Sequence, residues 1–238
     1  MTKFPKNIKF ITTLRFLDKG VSTGNYANFN LATYTGDDLD AVRKNRQLLI
    51  KHFDLPSEPK WLKQVHLDTC LIADEINDIV EADASITQTQ GIVCAVLTAD
   101  CLPIFATDIK GGIVGVAHAG WQGILNGIIE SFIKKININS DDLLIHLGPA
   151  ISVKALELGK DVYDDFVLKN KDFSKAFVIK EGKYFLDIYK IARIILTSLA
   201  VKNITGGDEC TFLDKDKYFS FRRQGANSGR MASLIWIE

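Results

Sequence analysis

Residues 91–123 read G-I-V-C-A-V-L-T-A-D-C-L-P-I-F-A-T-D-I-K-G-G-I-V-G-V-A-H-A-G-W-Q-G, and this stretch decides the fold. Its first apolar run, 92–97, has the length of a strand, is rich in β-branched residues and stops at a small polar turn. Because the run is apolar without alternation, it predicts a strand buried on both faces. Two further apolar runs, one through Phe105 and one over 113–117, predict two more strands with a glycine turn between them.

Two residues with ligand chemistry lie where these strands stop. Cys101 follows the first strand and His118 ends the third. The residues after His118 lead into apolar positions at helical spacing, so this histidine stands at a junction between a strand and a helix. Glycines there allow a sharp turn and a close approach to a ligand, and the first free amides of a helix favour an anion. We therefore expect Gly120, Gln122 and Gly123 to contact a phosphate or another anionic part of a substrate.

The composition limits the class of protein. The chain has 238 residues, 47% of them hydrophobic, so we expect one domain spanning 1–238. Lys plus Arg and Asp plus Glu number 29 each, which argues against nucleic acid and anionic membrane as partners and favours a small-molecule substrate. No run approaches the roughly 20 apolar residues of a membrane span, and the amino terminus lacks the apolar core of a signal peptide, so we expect a cytoplasmic protein. Four cysteines without a CxxC pattern indicate reduced thiols. The sequence does not define the oligomeric state.

The rest of the chain mixes strands and helices without a strict βαβ rhythm. The patterns predict strands near 10–13, 61–66, 83–87 and 143–147, a hairpin over 176–186, and helices over 41–52, 124–135, 160–168 and 188–199. Asp187 is the predicted cap of the last helix. The predicted fold class is α+β with a mixed central sheet.

Three candidate ligands come from three separate segments of the chain. His66, at the end of the run W-L-K-Q-V-H, joins Cys101 and His118. Two imidazoles and one thiolate, with a fourth position left to water, match an open catalytic zinc site, where the metal lowers the pKa of its water to about 7. A second interpretation makes Cys101 a nucleophile, with one histidine as its base and Asp100 or Asp83 orienting the imidazole. Taken singly, a buried cysteine is more often an inert small hydrophobic residue, and a histidine at the end of a strand is more often a hydrogen-bonded polar residue than a ligand. The residues alone leave both chemical interpretations open.

A cluster of arginines lies near the carboxyl terminus. Arg222, Arg223 and Arg230 are interleaved with glycines, and guanidinium groups bind phosphate or carboxylate in bidentate fashion. The cluster fits a substrate site, with Arg223 as the predicted contact, and fits a surface turn equally well.

Several motifs in order resemble the YfiH family, bacterial relatives of the human laccase-domain-containing protein. They are W-L-K-Q-V-H, A-D-A-S-I-T, T-A-D-C-L-P-I, H-A-G-W-Q-G, L-G-P-A-I-S and F-S-F-R-R-Q-G-A-N-S-G-R, and the resemblance runs from about residue 12 to the carboxyl terminus. It implies an α/β/β/α sandwich similar to the catalytic domain of cytotoxic necrotizing factor. It also implies a zinc ion, with copper as the alternative, bound by His66, Cys101 and His118.

The resemblance implies a purine nucleoside enzyme that cleaves adenosine, inosine or methylthioadenosine with phosphate and deaminates adenosine. Under this leading hypothesis Cys101, Asp100 and Asp83 are catalytic, the two carboxylates as proton-handling groups. Some relatives are instead described as amide hydrolases that edit UDP-muramyl peptide precursors of peptidoglycan. Others have the label of polyphenol oxidoreductase or laccase, and a single-metal oxidoreductase is the third alternative.

Two features bear on these alternatives. Multi-copper chemistry needs several copper centres rich in imidazole, and the chain has only four histidines. The family usually has arginine where this chain has Gln122, and its opening T-T-R-x-G-G pattern is altered here, with Arg15 as the replacement for the arginine.

Overall fold

The computed structural model describes residues 3–238, and the 91–123 stretch contributes strands to both of two facing sheets. Within the described residues there are twelve strands, in chain order β1 Ile8–Thr12, β2 Cys70–Ile72, β3 Ala84–Thr87, β4 Cys94–Thr98, β5 Leu102–Asp108, β6 Val114–Ala119, β7 Leu143–Leu147, β8 Glu157–Leu158, β9 Phe177–Lys180, β10 Lys183–Leu186, β11 Asn203–Gly206 and β12 Met231–Ile237.

Six α-helices accompany the strands in the same described range: α1 Leu39–His52, α2 Trp121–Asn126, α3 Ile128–Ile136, α4 Lys160–Lys169, α5 Ile188–Ser198 and α6 Phe221–Gln224. The carboxylate of Asp187 accepts a hydrogen bond from the amide of Lys190, as the sequence predicts for a helix cap. In residues 3–238 every helix falls short of the length and apolar character that a bilayer crossing requires.

The main sheet is mixed and has six strands in the order β11-β7-β5-β6-β3-β2. Strand β5 runs antiparallel to both β6 and β7, whereas β11 is parallel to β7 and β2 is parallel to β3. A second, antiparallel sheet has the order β1-β12-β4, and a small third sheet has the order β8-β10-β9. This architecture confirms the predicted α+β class.

Three apolar clusters show how the layers stack. The largest joins the outer face of the six-stranded sheet to helices α3 and α5. A second, around the fully buried Phe105, fills the space between the two sheets, and a third packs α1 against the outer face of β4 and β12. The layers therefore follow the α/β/β/α order. Strand β4 is buried along its whole length, as predicted, because it has a sheet on one side and helix α1 on the other.

Two predicted elements differ from the structure. The strand predicted over 61–66 was wrong. Lys60 and Lys63 make only isolated bridges, and the backbone amides of residues 65–67 donate hydrogen bonds to the carboxylate of Asp83 instead of to a neighbouring strand. The helix predicted over 124–135 begins earlier, at Trp121, and is interrupted at Gly127, whose φ of 103° ends α2 and starts α3. Glycine tolerates this left-handed conformation, which allows the break at this position. The apolar periodicity continues through the break, which is why the sequence predicts one helix.

Candidate metal centre

Strand pairing brings the three candidate ligands together. Cys101 lies in the short turn between β4 and β5, and His118 is the penultimate residue of β6. Because β5 and β6 pair antiparallel with Pro103 opposite His118, the turn carrying Cys101 lies beside the end of β6. His66 comes from the loop before β2, where its φ of 60° places it in the left-handed region.

The ligand atoms of the three side chains lie within 4.8 Å of one another. The Sγ of Cys101 is 3.8 Å from Nε2 of His66, and the imidazole ring centroids of His66 and His118 are 4.7 Å apart. Gly120 is required beside them, because a Cβ at this position would lie 2.8 Å from the Cys101 Sγ and 2.9 Å from Cδ2 of His66. The predicted convergence of the two imidazoles and the thiol is therefore present.

The carboxylate of Asp83 orients the imidazole of His118 and holds the backbone of the loop that carries His66. Its Oδ1 accepts hydrogen bonds from the His66 amide at 3.0 Å and is 2.8 Å from Nδ1 of His118. Its Oδ2 accepts from the amides of Val65 and Leu67 at 3.1 and 3.0 Å. Asp83 is fully buried, and a carboxylate in this position keeps the proton of His118 on Nδ1, which leaves Nε2 free to bind a metal.

The electrostatics of the group favour a thiolate. Burial alone would raise the pKa of the Cys101 thiol, but the neighbouring His118 and His66 lower it. Burial alone would lower the pKa of His118, but the Cys101 thiolate and the Asp83 carboxylate raise it. Both pKa directions favour the thiolate of Cys101, which is the form of cysteine that binds metals.

The three ligands line one cavity of about 370 Å³. Its wall combines apolar and polar side chains, contributed by Tyr34, Gln64, Leu97, Ala99, Asp100, Trp121, Gln122, Ile151, Leu156, Ile188, Phe221, Arg222 and Arg230. The volume falls in the range of small-molecule sites.

The predicted substrate residues divide into two groups. Gln122 lines the cavity, and Gly120 lies against two of the ligands. Gly123 and Arg223 are not among the lining residues, which differs from their predicted substrate contact. Gly123 is buried in α2, and the guanidinium of Arg223 donates to the backbone carbonyls of three residues, Thr211, Phe212 and Tyr218.

Asp100 lines the cavity and anchors the segment that carries two arginines. Its carboxylate accepts hydrogen bonds from Oγ1 of Thr211 at 2.6 Å, from Oγ of Ser220 at 2.9 Å and from the amide of Arg222 at 2.7 Å. These donors account for the burial of the carboxylate. A proton-handling role for Asp100 or for Asp83, whose oxygens also accept several hydrogen bonds, stays a prediction.

Several cavity residues were not predicted from the sequence. Gln64 and Phe221 lie inside the quoted motifs Q-V-H and F-S-F-R-R, so the resemblance to the family could have identified them as candidate site residues. The side chain of Gln64 forms two hydrogen bonds with the backbone of Leu97. Tyr34 follows an irregular segment, and no pattern in the sequence marks it.

The donor set fits a single metal ion. Two imidazole nitrogens and a thiolate suit zinc and also copper, and the carboxylate behind His118 is a common support for a metal-binding histidine. The fold and the site therefore define an α+β protein with a His-Cys-His metal-binding group that faces a cavity.

The chain belongs to the YfiH family, described as multi-copper polyphenol oxidoreductase laccase, which matches residues 10–238. A Haemophilus influenzae protein named purine nucleoside phosphorylase is 41% identical over 237 residues, covering 98% of this chain and 96% of the relative. The Escherichia coli purine nucleoside phosphorylase YfiH is 40% identical over 234 residues, with 98% and 95% covered. The crystal structure of Neisseria meningitidis protein NMB0706 has a TM-score of 0.93 at 41% identity and covers 99% of this chain and 96% of its own.

The family description mentions several coppers, and the histidines of this chain bear on it. His52 packs its ring against Phe53 at the end of α1, and Nδ1 of His146 is 3.0 Å from the hydroxyl of Thr205. Across residues 3–238, the group formed by His66, Cys101 and His118 is the one arrangement of three such side chains close enough to hold a metal ion. The ligands thus suffice for one ion, and multi-copper centres need more imidazoles.

Proposed function

We propose that this protein is a zinc-dependent purine nucleoside phosphorylase that also deaminates adenosine. The observation that carries the proposal is the His-Cys-His group facing a cavity of about 370 Å³ that also contains two arginines. Relatives of about 40% identity over nearly the whole chain are named purine nucleoside phosphorylase, which supports the same substrate class.

The metal in this proposal is zinc, held by His66, Cys101 and His118. The mixed imidazole and thiolate donors and the buried carboxylate behind His118 support zinc, with copper as the alternative ion. When bound, zinc supplies Lewis acidity at neutral pH. Asp83 keeps both histidines in place, and Gly120 leaves room for the ligands.

In phosphorolysis, an oxygen of phosphate forms a bond to C1′ of the ribose while the bond between C1′ and the purine nitrogen breaks. The bonding electrons leave with the purine, which takes up a proton, and the products are the free base and ribose 1-phosphate. Arg222 and Arg230 give the cavity positive charge, which suits phosphate. The side chain of Arg222 also donates to the carbonyls of Ala155 and Glu157, so it is fixed in orientation.

Deamination of adenosine is the second activity of the same site. Water adds to C6 of the purine and ammonia leaves, giving inosine. A zinc deaminase site pairs its metal with a carboxylate that moves protons, and Asp100 is the carboxylate among the cavity-lining residues. This reaction needs no phosphate, so the two activities are separable by substrate.

The test uses zinc-loaded protein with adenosine, with and without phosphate, and separates the products by chromatography. We expect adenine and ribose 1-phosphate only with phosphate present, and inosine in both cases. The control is Cys101→Ser, which removes the thiolate and should abolish both reactions together with bound zinc. Absence of adenine, ribose 1-phosphate and inosine from the zinc-loaded wild type would refute the proposal.

A further inference from the structure

Two aromatic side chains on the cavity wall are open to solvent. Tyr34 is 59% exposed and Phe221 is 49% exposed, and both line the same cavity as His66, Cys101 and His118. Solvation of an apolar ring is unfavourable, and the protein leaves these rings uncovered next to its metal-binding group. Exposed aromatic faces at a small-molecule cavity are surfaces on which a flat ligand stacks.

An arginine stands between the two rings and is itself held in place. The guanidinium carbon of Arg230 lies 6.0 Å from the ring centroid of Tyr34 and 5.7 Å from that of Phe221. Its Nη1 donates to the carbonyls of Ser228 and Gly229 at 2.5 and 3.0 Å. The two rings therefore flank one anchored cation, and we name Tyr34, Phe221 and Arg230 the aromatic wall.

The backbone on both sides of the aromatic wall is braced. The side chain of Asn30 accepts a hydrogen bond from the amide of Arg230 at 2.9 Å and donates to Oγ1 of Thr35, directly after Tyr34. On the other side, Asp100 accepts from Ser220 and from the amide of Arg222, the two neighbours of Phe221. These bonds order the wall before a ligand arrives, which lowers the entropic cost of binding.

We propose that the aromatic wall is the nucleobase subsite: the purine ring stacks on Tyr34 and Phe221, in the same cavity that the metal-binding group lines. The inference rests on the proposed function for the identity of the base. Stacking explains why both rings stay exposed in the free protein, because the base completes the contact that the protein leaves open.

The chain provides a matched control for an exposed aromatic ring. Phe16 is also 49% exposed and also has an arginine beside it, with the guanidinium carbon of Arg15 5.0 Å from the ring centroid. Phe16 is absent from the cavity lining, so it shares exposure and cation contact with Phe221 but not the location. Replacing Phe16 or Phe221 with alanine therefore removes the same type of exposed side chain from the surface.

The experiment measures binding of inosine, which the proposed site leaves unchanged when phosphate is absent, to the zinc-loaded protein by calorimetry without phosphate. We expect Phe221→Ala and Tyr34→Ala each to raise the Kd about 5- to 150-fold, the effect of one lost base stack. Phe221→Tyr and Tyr34→Phe should stay close to wild type because they keep the ring, whereas Phe221→Leu should weaken binding because it keeps apolar volume without a π face. Phe16→Ala should bind inosine as the wild type does.

A second readout separates base stacking from damage to the site. In turnover with adenosine and phosphate, Phe221→Ala should raise the KM for adenosine and leave the KM for phosphate and the zinc content unchanged. Equal Kd values for wild type and Phe221→Ala, or a loss with Phe16→Ala of the same size, would overturn the inference even if phosphorolysis is observed. Wild type that binds inosine through Phe221 but converts neither adenosine nor inosine would refute the proposed function and leave the subsite standing.

Discussion

Replacing Asp83 with asparagine should damage the metal centre more than its small change in shape suggests. The variant Asp83→Asn keeps the volume but turns one carboxylate oxygen into an NH₂ group, which donates and does not accept. In the wild type each oxygen serves two partners: Oδ1 serves the His66 amide and Nδ1 of His118, and Oδ2 serves the amides of Val65 and Leu67. Either orientation of the asparagine therefore faces two groups that need an acceptor.

The two orientations have different consequences. With NH₂ toward Val65 and Leu67, two backbone amides lose their acceptor. With NH₂ toward His118, the amide donates to Nδ1, so the imidazole proton moves to Nε2 and that nitrogen no longer binds a metal. The loss of charge-assisted bonds at a fully buried position costs about 3 kcal/mol of the free energy of unfolding, which lowers Tm by about 6–12 °C in a chain of this size. Loss of a carboxylate behind a ligand histidine weakens metal binding about 10- to 100-fold.

Two assays measure these effects separately: thermal unfolding of the metal-free protein, and zinc affinity by competition with a coloured chelator. Asp100→Asn is the matched control, because Asp100 is also a buried carboxylate with several donors but touches neither histidine. It should lower Tm and change zinc affinity much less than Asp83→Asn. If Asp83→Asn binds zinc as tightly as the wild type, or loses no more zinc affinity than Asp100→Asn, the orienting role of Asp83 is wrong.

Three further predictions follow from the geometry of the site. Gly120→Ala should weaken zinc binding, measured by chelator competition, because the added Cβ would lie 2.8 Å from Sγ of Cys101. The control Gly112→Ala should bind zinc as the wild type does, because its Cβ would lie 3.8 Å from the nearest atom. Equal zinc affinities of the two variants would contradict the steric argument. In metal-free folded protein, Cys101 should be alkylated at neutral pH before Cys94, because His118 and His66 lower the pKa of Cys101 whereas burial raises the pKa of Cys94 to about 12. Bound zinc should protect Cys101 from alkylation. Peptide mass spectrometry measures the order of labelling, and faster labelling of Cys94 would contradict the prediction. Gln122→Arg should lower the KM for phosphate because it adds a cation to the cavity wall, and an unchanged or higher KM in steady-state assays would place phosphate elsewhere.

The sequence predicted the buried strands and indicated the candidate ligands because both depend on local chemistry. Strand β4 follows an unbroken apolar run, and burial on both faces needs no alternation. Cys101 and His118 were recognised because a polar ligand type directly follows such a run. Their convergence with His66 was a hypothesis from residue type and resemblance, since no spacing in the sequence encodes a contact between loops.

Contacts that form only in the tertiary structure could not be predicted from the sequence. The strand predicted before His66 was wrong because the amides there bond to Asp83, a side chain 17 residues later in the chain than His66. Arg223 has the same residue type as Arg222 and Arg230, and the guanidinium groups of all three donate to backbone carbonyls, yet Arg222 and Arg230 line the cavity and Arg223 does not. Tyr34 joins the cavity through the fold of its loop, which no periodic pattern predicts.

The central claim is that two imidazoles and one thiolate from separate segments hold one ion that faces the cavity. Anomalous diffraction at the zinc absorption edge, on crystals grown with zinc, tests it directly. The account predicts one strong peak about 2.0–2.3 Å from an imidazole nitrogen of His66, from Sγ of Cys101 and from Nε2 of His118, with no fourth protein ligand. A peak elsewhere, or an ion closed off by a fourth protein ligand, would contradict it.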